Sequence, residues 1–210
     1  DLLFNLSRTF TNGNLNLSTF LKLRLFKIFI SNLEFIPNSE YDLILLLLAR
    51  GEEETVSVLY SRSDYGTDKP NINKIIEGDF VYPCTYSILK DGTINFMYSN
   101  TNDKGHFGIP KLILGNGANP TSTIDYQGNY GMTNFTFGIV DEVINLPLIE
   151  KVLKSEIFEK VTKATKYVAT QGNPLVYPKI LSTFKKDFWK YFLDEDNNVI
   201  EPNFENVERV

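Results

Sequence analysis

The sequence predicts an α/β (α+β) fold in which a central β-rich layer, with an antiparallel or mixed sheet, is flanked by helices from both ends of the chain. Residues 54–140 contain short runs of β-forming residues separated by turn signals, which is typical of strands. Residues 38–50 and much of 141–193 instead place apolar residues at helical spacing. The composition, 42% hydrophobic and 13% aromatic, is that of a folded globular protein.

Residues 1–53 are predicted to form a helical segment packed on the core. The apolar stretch 15–30 is assigned to one helix, although part of it alternates at the period of a strand. A second helix is expected to begin at the N-cap residues Asn38 and Ser39 and to end before Gly51. Because this second helix is apolar on nearly all sides, we expect it to be buried.

Two hairpins are predicted in the β-rich region. The turn of the first is Lys90-Asp91-Gly92, where the Asp-Gly pair favours a tight reversal between two β-forming runs. The turn of the second is 127–130, between runs at 122–126 and 131–139. Both hairpins would pair strands that are neighbours in the sequence.

Residues 141–193 are predicted to be helical, with helices at 146–153, 157–168 and 178–192. The region is rich in lysine, whereas residues 194–210 form an acidic tail, so the net charge of -5 is unevenly distributed. The third helix would bury one apolar stripe, formed by Ile180, Leu181, Phe184, Phe188 and Phe192.

The search for catalytic chemistry finds no candidate site. The chain contains one histidine, His106, and one cysteine, Cys84, which makes a zinc site a poor candidate. No nucleophile-elbow motif, Gly-rich phosphate loop or dinucleotide-binding motif is present. We therefore expect no catalytic site, metal or cofactor in this chain. The cysteine count favours a cytoplasmic protein, and the apolar run 43–49 is too short to span a membrane.

Four polar loops are candidate DNA-contacting segments: 61–69, 102–111, 115–121 and 130–134. Their residue types are those that contact phosphates and base edges, and for each loop the alternative is an ordinary solvated connection. Phosphate or guanine contacts are assigned to Arg62, Lys69, Lys104 and Lys111, and base-edge contacts to Asn116, Thr133 and Asn134. The other candidate DNA-binding residues are Ser63, Tyr65, Thr67, His106 and Tyr130, the last as a stacking residue.

Taken in order, five segments resemble the C-terminal part of adenine-specific DNA methyltransferases of the restriction-modification type, from bacteria, phages and giant viruses. The segments are Phe35–Ser39, Tyr60–Thr67, Gly105–Lys111, Asp125–Thr133 and Phe184–Trp189. The resemblance implies that residues 54–140 are a target recognition region that reads double-stranded DNA beside the target adenine.

In that family the N-terminal part binds S-adenosylmethionine and carries an Asn/Asp-Pro-Pro-Tyr/Phe motif. Neither is found here. The two Asn-Pro pairs, Asn173-Pro174 and Asn119-Pro120, are each followed by a residue other than proline, so neither forms the catalytic motif. The resemblance therefore implies a partner catalytic domain, in the same or another chain, that performs base flipping and methyl transfer. The start at Asp1 agrees with a fragment of a longer enzyme.

Two other functions remain open at this point. The acidic net charge and the aromatic-rich sheet suit a protein-interaction or viral structural module. An isolated DNA-binding domain usually carries excess positive charge instead. A small metal-dependent nuclease would use carboxylates as metal ligands, and the candidates are Asp125, Asp141 and Glu142.

Overall fold

The computed structural model describes residues 47, 53–61, 69–115, 121–160, 178 and 181–202. Their strands are β1 (Ser57–Tyr60), β2 (Ile72–Asn73), β3 (Tyr82–Ile88), β4 (Ile94–Ser99), β5 (Lys111–Gly115), β6 (Ser122–Asp125), β7 (Gly131–Met132) and β8 (Thr136–Val140). Helix α1 (Leu146–Leu153) follows, then helical residues 156–160 and a 3-10 helix (Phe188–Phe192).

The strands form two four-stranded sheets. The first sheet has the order β1-β8-β5-β6 and is antiparallel throughout. The second sheet has the order β2-β4-β3-β7 and is mixed, because β7 lies parallel to β3 while the other pairs are antiparallel. The chain therefore leaves the first sheet after β6, contributes β7 to the second sheet and returns as β8.

The first sheet is the middle of three layers. Side chains alternate across a strand, and on β5 Leu112 and Leu114 face a core shared with α1 and the C-terminal aromatic residues. Ile113 faces the opposite way and packs with Ile88 and Met132 of the second sheet. Helices thus cover one face of the first sheet and the second sheet covers the other, which confirms the predicted α+β class.

Phenylalanine rings hold the helical layer together. The ring of Phe158 lies 6.5, 5.6 and 5.5 Å from those of Phe184, Phe188 and Phe192, measured between centroids. All four side chains are fully buried. Burial of each large aromatic side chain stabilises the fold by about 1.5–3 kcal/mol.

The first predicted hairpin is confirmed and the second is wrong. The amide of Leu89 donates to the carbonyl of Thr93 across the Asp91-Gly92 turn, at 2.8 Å. At the second predicted turn, β6 pairs with β5, whereas β7 belongs to the other sheet. Asp125, at the end of β6, accepts hydrogen bonds from the following turn and so redirects the chain.

Helix α1 is confirmed, but the continuous helix predicted at 178–192 is wrong. Pro178 and Leu181 are helical, turns follow, and Lys185 forms an antiparallel bridge with Thr55. The amide of Val56 donates to the carbonyl of Phe184 at 3.0 Å. Pairing with the segment before β1 therefore replaces the intrahelical hydrogen bonds in this stretch.

Other helix predictions fall largely outside the described residues. The predicted helix at 15–30 lies wholly outside them, and of 38–50 only Leu47 is described, as a buried helical residue. Residues 157–160 of the predicted 157–168 helix are helical. None of the helices in the described ranges combines the length and apolar character needed to cross a bilayer.

Candidate nucleic-acid interface

A buried ion pair lies beneath the predicted DNA-contacting loops. Lys111 Nζ donates to Asp125 Oδ2 at 2.9 Å across the β5–β6 pair, and their side chains are 0% and 2% exposed. The ammonium also donates to the carbonyl of Ile109 at 3.0 Å. Burial lowers the pKa of the Lys111 ammonium, and the interaction with Asp125 opposes that shift. Each member of the pair also has a further hydrogen-bonding partner in the backbone, as buried ionic groups require.

The same carboxylate organises the turn after β6. Asp125 Oδ1 accepts the amide of Asn129 at 2.8 Å, and Oδ2 accepts the amide of Tyr130 at 2.9 Å. Gly128 has a φ of +73°, which favours glycine. A Cβ at Gly128 would lie 2.5 Å from backbone atoms of Gly108 and Ile109. The turn is therefore packed backbone-to-backbone against the 102–111 loop.

The 102–111 loop is in turn bonded to two other parts of the chain. The amide of Gly108 donates to the carbonyl of Gly128 at 2.8 Å, and the amide of Met132 donates to the carbonyl of Gly105 at 2.9 Å. His106 has a φ of +61°, and its Nε2 lies 2.7 Å from the carbonyl oxygen of Tyr60. His106 therefore makes a structural contact to the end of β1.

Both described ends of the 61–69 loop lie beside the same segment. Tyr60, which immediately precedes it, contacts His106 through its carbonyl. Pro70, which immediately follows it, lies against Gly105, with Cγ 3.5 Å from the position of a Cβ there. Loop 61–69 therefore starts and ends next to the 102–111 loop.

Loop 115–121 begins beside the 133–136 turn, which follows β7. Gly115 pairs with Thr136 in the β5–β8 register, so loop 115–121 begins beside this turn. At its other end Thr121 donates to the carbonyl of Ile88 at 2.5 Å. The described ends of loop 61–69 thus lie beside the 102–111 loop. That loop is bonded to Met132, and Gly115, where loop 115–121 begins, lies opposite Thr136.

The structure changes two of the predicted roles. Lys111 is fully buried and ion-paired, so the prediction that it contacts phosphate or guanine is wrong for the folded chain. Thr133 is 1% exposed, and its hydroxyl donates to the carbonyl of Thr85 at 3.1 Å, so it presents no group to a base edge. Both side chains instead make buried contacts that stabilise the loops.

The other predicted residues are distributed as follows. Lys69 and Lys104 are exposed, and Asn134 is half-buried. Tyr130, predicted to stack on a base, is half-buried, and its ring centroid lies 5.0 Å from that of Phe96. The predictions that lie outside the described residues are Arg62, Ser63, Tyr65, Thr67 and Asn116.

Two aromatic residues at this surface were missed by the sequence analysis. Tyr86 and Phe135 are 38% and 50% exposed, and their rings meet edge to face at 4.9 Å. Tyr86 lies at a register shift of β3, a feature that period-two alternation does not reveal. The one available signal was Phe135 itself, a bulky apolar residue between the polar residues of the 133–136 turn.

Charge is balanced in the part of the sequence that contains most of the candidate loops. The stretch from Lys69 to Phe135 holds five lysines and five acidic residues, whereas the whole chain carries -5. Four of these lysines are exposed, and none forms an ion pair with a residue that the structure describes. They are Lys69, Lys74, Lys90 and Lys104.

The carboxylates of the nuclease alternative do not form a common site. Both oxygens of Asp125 accept hydrogen bonds from the chain itself. Asp141 Oδ1 accepts from the amide of Glu142 and from Asn145 Nδ2, at 2.8 and 2.7 Å. Across the described ranges, no three His, Cys, Asp or Glu side chains are grouped so as to hold a metal ion.

A polar groove of about 530 Å³ lies on the helical side of the protein. Its three lysines pair with acidic neighbours at 3.4, 2.9 and 3.5 Å, namely Lys185 with Glu53, Lys186 with Glu54 and Lys190 with Asp187. None of the predicted DNA-contacting residues lines this groove.

Comparison with protein-family models, with curated protein sequences and with solved structures finds no match to this chain.

Proposed function

We propose that this chain is the DNA target-recognition module of an adenine-specific DNA methyltransferase or restriction-modification enzyme. It reads sequence beside the target adenine, while a catalytic domain in the same or another chain binds S-adenosylmethionine and transfers the methyl group. The proposal starts from five ordered segments that resemble this family.

The observation that carries the proposal is that the segments around residues 60–61, 69–70, 105–111 and 125–133 lie against one another in the folded chain. Two of the resembling segments, Gly105–Lys111 and Asp125–Thr133, interlock around the buried Lys111–Asp125 pair. A third, Tyr60–Thr67, begins at the carbonyl that contacts His106. Loops set on a rigid scaffold are the usual carriers of recognition.

Charge supports this side of the protein as the one that meets DNA. Exposed lysines without an acidic partner are free to neutralise phosphates, which is the main source of affinity for DNA. Of the four such lysines, Lys69 and Lys104 lie closest in the chain to the Pro70–Gly105 contact. The catalytic domain would supply further positive charge, which offsets the acidic balance of this chain.

The test is selection of duplexes from a random-sequence DNA pool by the 210-residue chain, followed by fluorescence anisotropy on the selected duplex. We expect enrichment of a short adenine-containing site and an affinity that falls as salt increases. K69A/K104A should weaken binding to the selected and to random duplexes alike. It should also reduce the salt slope by roughly 0.9 for each phosphate contact that is lost.

The matched control is K154A/K160A, which removes the same charge from two exposed lysines on the helical side. This variant should bind like the wild type. The proposal fails if the pool shows no enrichment, if binding does not respond to salt, or if the control variant loses as much affinity as K69A/K104A.

A further inference from the structure

Lys111 and Asp125 bring an amino group and a carboxyl group into contact inside the first sheet. The two residues lie directly opposite each other in the β5–β6 register, and Lys111 Nζ is 2.9 Å from Asp125 Oδ2. Their side chains are 0% and 2% exposed, so water is excluded from both groups. Two reactive groups held together in this way react at an effective concentration far above any that free molecules reach. The pair therefore has the placement that formation of an amide requires.

The lysine side chain is confined along its length. Its Cδ lies 3.4 Å from the position that a Cβ would take at Gly138 of β8, so the methylene stem passes close over that glycine. At the other end, Nζ donates to the carbonyl of Ile109 at 3.0 Å. Burial lowers the pKa of the Lys111 ammonium, which favours the neutral amine, the form of lysine that acts as a nucleophile.

The carboxyl group lies between two backbone amides. The amide of Asn129 donates to Oδ1 at 2.8 Å, and the amide of Tyr130 donates to Oδ2 at 2.9 Å. Backbone N–H groups that already point at a carbonyl oxygen stabilise the negative charge that develops on it when a nucleophile attacks. The amide of Asn129 is placed to do this at Oδ1, while Oδ2, which bonds to Lys111, is the oxygen that can leave.

Condensation would remove two charges from the interior of the protein. An ion pair that is taken out of water carries a large desolvation cost, whereas a neutral amide carries a smaller one. The hydrogen-bonding partners of that amide are already present. The carbonyl of Ile109 can accept its N–H, and the amide of Asn129 can donate to its oxygen.

We propose that Lys111 and Asp125 condense in the folded chain to form an intramolecular isopeptide bond. Nζ attacks Cγ of Asp125, and the bond between Cγ and Oδ2 breaks. Two of the three ammonium protons leave with Oδ2 as water, and the third stays on the new amide nitrogen. The ion pair thus supplies every atom of the reaction, and no co-reactant is needed. The product links the 102–111 loop covalently to β6, whatever the chain binds.

The test is the intact mass of the 210-residue chain, purified in the folded state, incubated at neutral pH and then measured under denaturing conditions. We expect a mass below that of the sequence by one water molecule. Chymotrypsin cleaves after Leu112 and Leu114, between the two residues, and should nevertheless release Lys111 and Asp125 in one branched peptide. If the folded wild type keeps its full sequence mass after prolonged incubation, the proposal is overturned.

K111M is the variant that must abolish the mass deficit. Because the mass is read on the denatured chain, this result does not depend on how stably K111M folds. K104M, which removes an exposed lysine of the same loop, should show the same deficit as the wild type. The Asp91-Gly92 pair can also lose one water by closing to a succinimide, and K111M retains that pair. A deficit that persists in K111M, or that maps to Asp91-Gly92, would therefore contradict the isopeptide bond.

Discussion

Lys111 and Asp125 face each other across β5 and β6 as a fully buried ion pair, and this one contact fixes two loops at once. Through Lys111 Nζ it holds the carbonyl of Ile109, and through the carboxylate it holds the amides of Asn129 and Tyr130. The pair is therefore the structural centre of the two segments that interlock at the candidate interface.

Removal of one member of this pair should destabilise the protein strongly. D125A leaves the buried ammonium without its carboxylate partner and the amides of Asn129 and Tyr130 without an acceptor, and we expect the free energy of unfolding to fall by about 3–5 kcal/mol. K111M leaves a carboxylate that still accepts the two amides, so its effect should be smaller. Urea unfolding measures both, and the double variant should lose less than the two single losses added together. Strict additivity would mean that the two groups do not interact.

Gly128 and Gly92 provide a test of the backbone packing between the turn and the 102–111 loop. Both have positive φ, +73° and +87°, but a Cβ meets backbone atoms at 2.5 Å only at Gly128 and meets nothing within 4 Å at Gly92. G92A should cost about 1–2 kcal/mol for the left-handed conformation alone. G128A should cost clearly more, because residues Gly108 and Ile109 have to move. Equal losses in thermal unfolding would contradict the packing described.

The thiol of Cys84 should make stability depend on alkaline pH. Burial raises its pKa to about 12, so the folded protein keeps a proton that the unfolded chain releases above about pH 9. This contribution is complete below pH 9 and is lost as the pH rises toward 12, by up to about 1.4 kcal/mol per pH unit. Urea unfolding of wild type and C84A at pH 8 and 10 isolates it, since C84A lacks the titrating group. An equal decrease in the free energy of unfolding between pH 8 and 10 in wild type and C84A would contradict the prediction.

Reactivity of the same residue gives an independent check. Because Cys84 is the only cysteine and is 0% exposed, Ellman's reagent should not react with the native protein at pH 8. One thiol per chain should react after unfolding in guanidinium chloride. Fast reaction of the native protein would mean that β3 and β7 are not packed as described.

Two phenylalanines should lose very different amounts of stability on substitution by alanine. Phe158 is fully buried among three other rings, so F158A should lower the free energy of unfolding by about 3–5 kcal/mol. Phe135 is half exposed, so F135A should stay within roughly 1 kcal/mol of the wild type. Chemical denaturation compares them, and a large loss in F135A would mean that this ring stabilises the fold.

Patterns in the sequence determined the strands, turns and helices that depend only on neighbouring residues. The strand-forming runs between 54 and 140, the turn at Asp91-Gly92 and helix α1 follow from side-chain periodicity and turn chemistry within a few residues. The same patterns identified the polar loops. Nothing in those patterns distinguishes a lysine that contacts solvent from one that is buried, because the exposed Lys104 and the buried Lys111 belong to the same polar segment, 102–111.

Only the tertiary structure decided how those elements are combined. Asp125 captures two amides of the following turn, so β7 crosses to the second sheet instead of completing a hairpin. The carbonyl of Phe184 pairs with the amide of Val56, which interrupts a helix that its own sequence favours. The burial of Lys111 depends on Asp125, fourteen residues away. The last two cases share a physical reason, because each depends on a polar partner that is distant in the sequence and is brought close by folding. The first depends on which sheet offers β7 a partner strand, and that partner, β3, is also distant in the sequence.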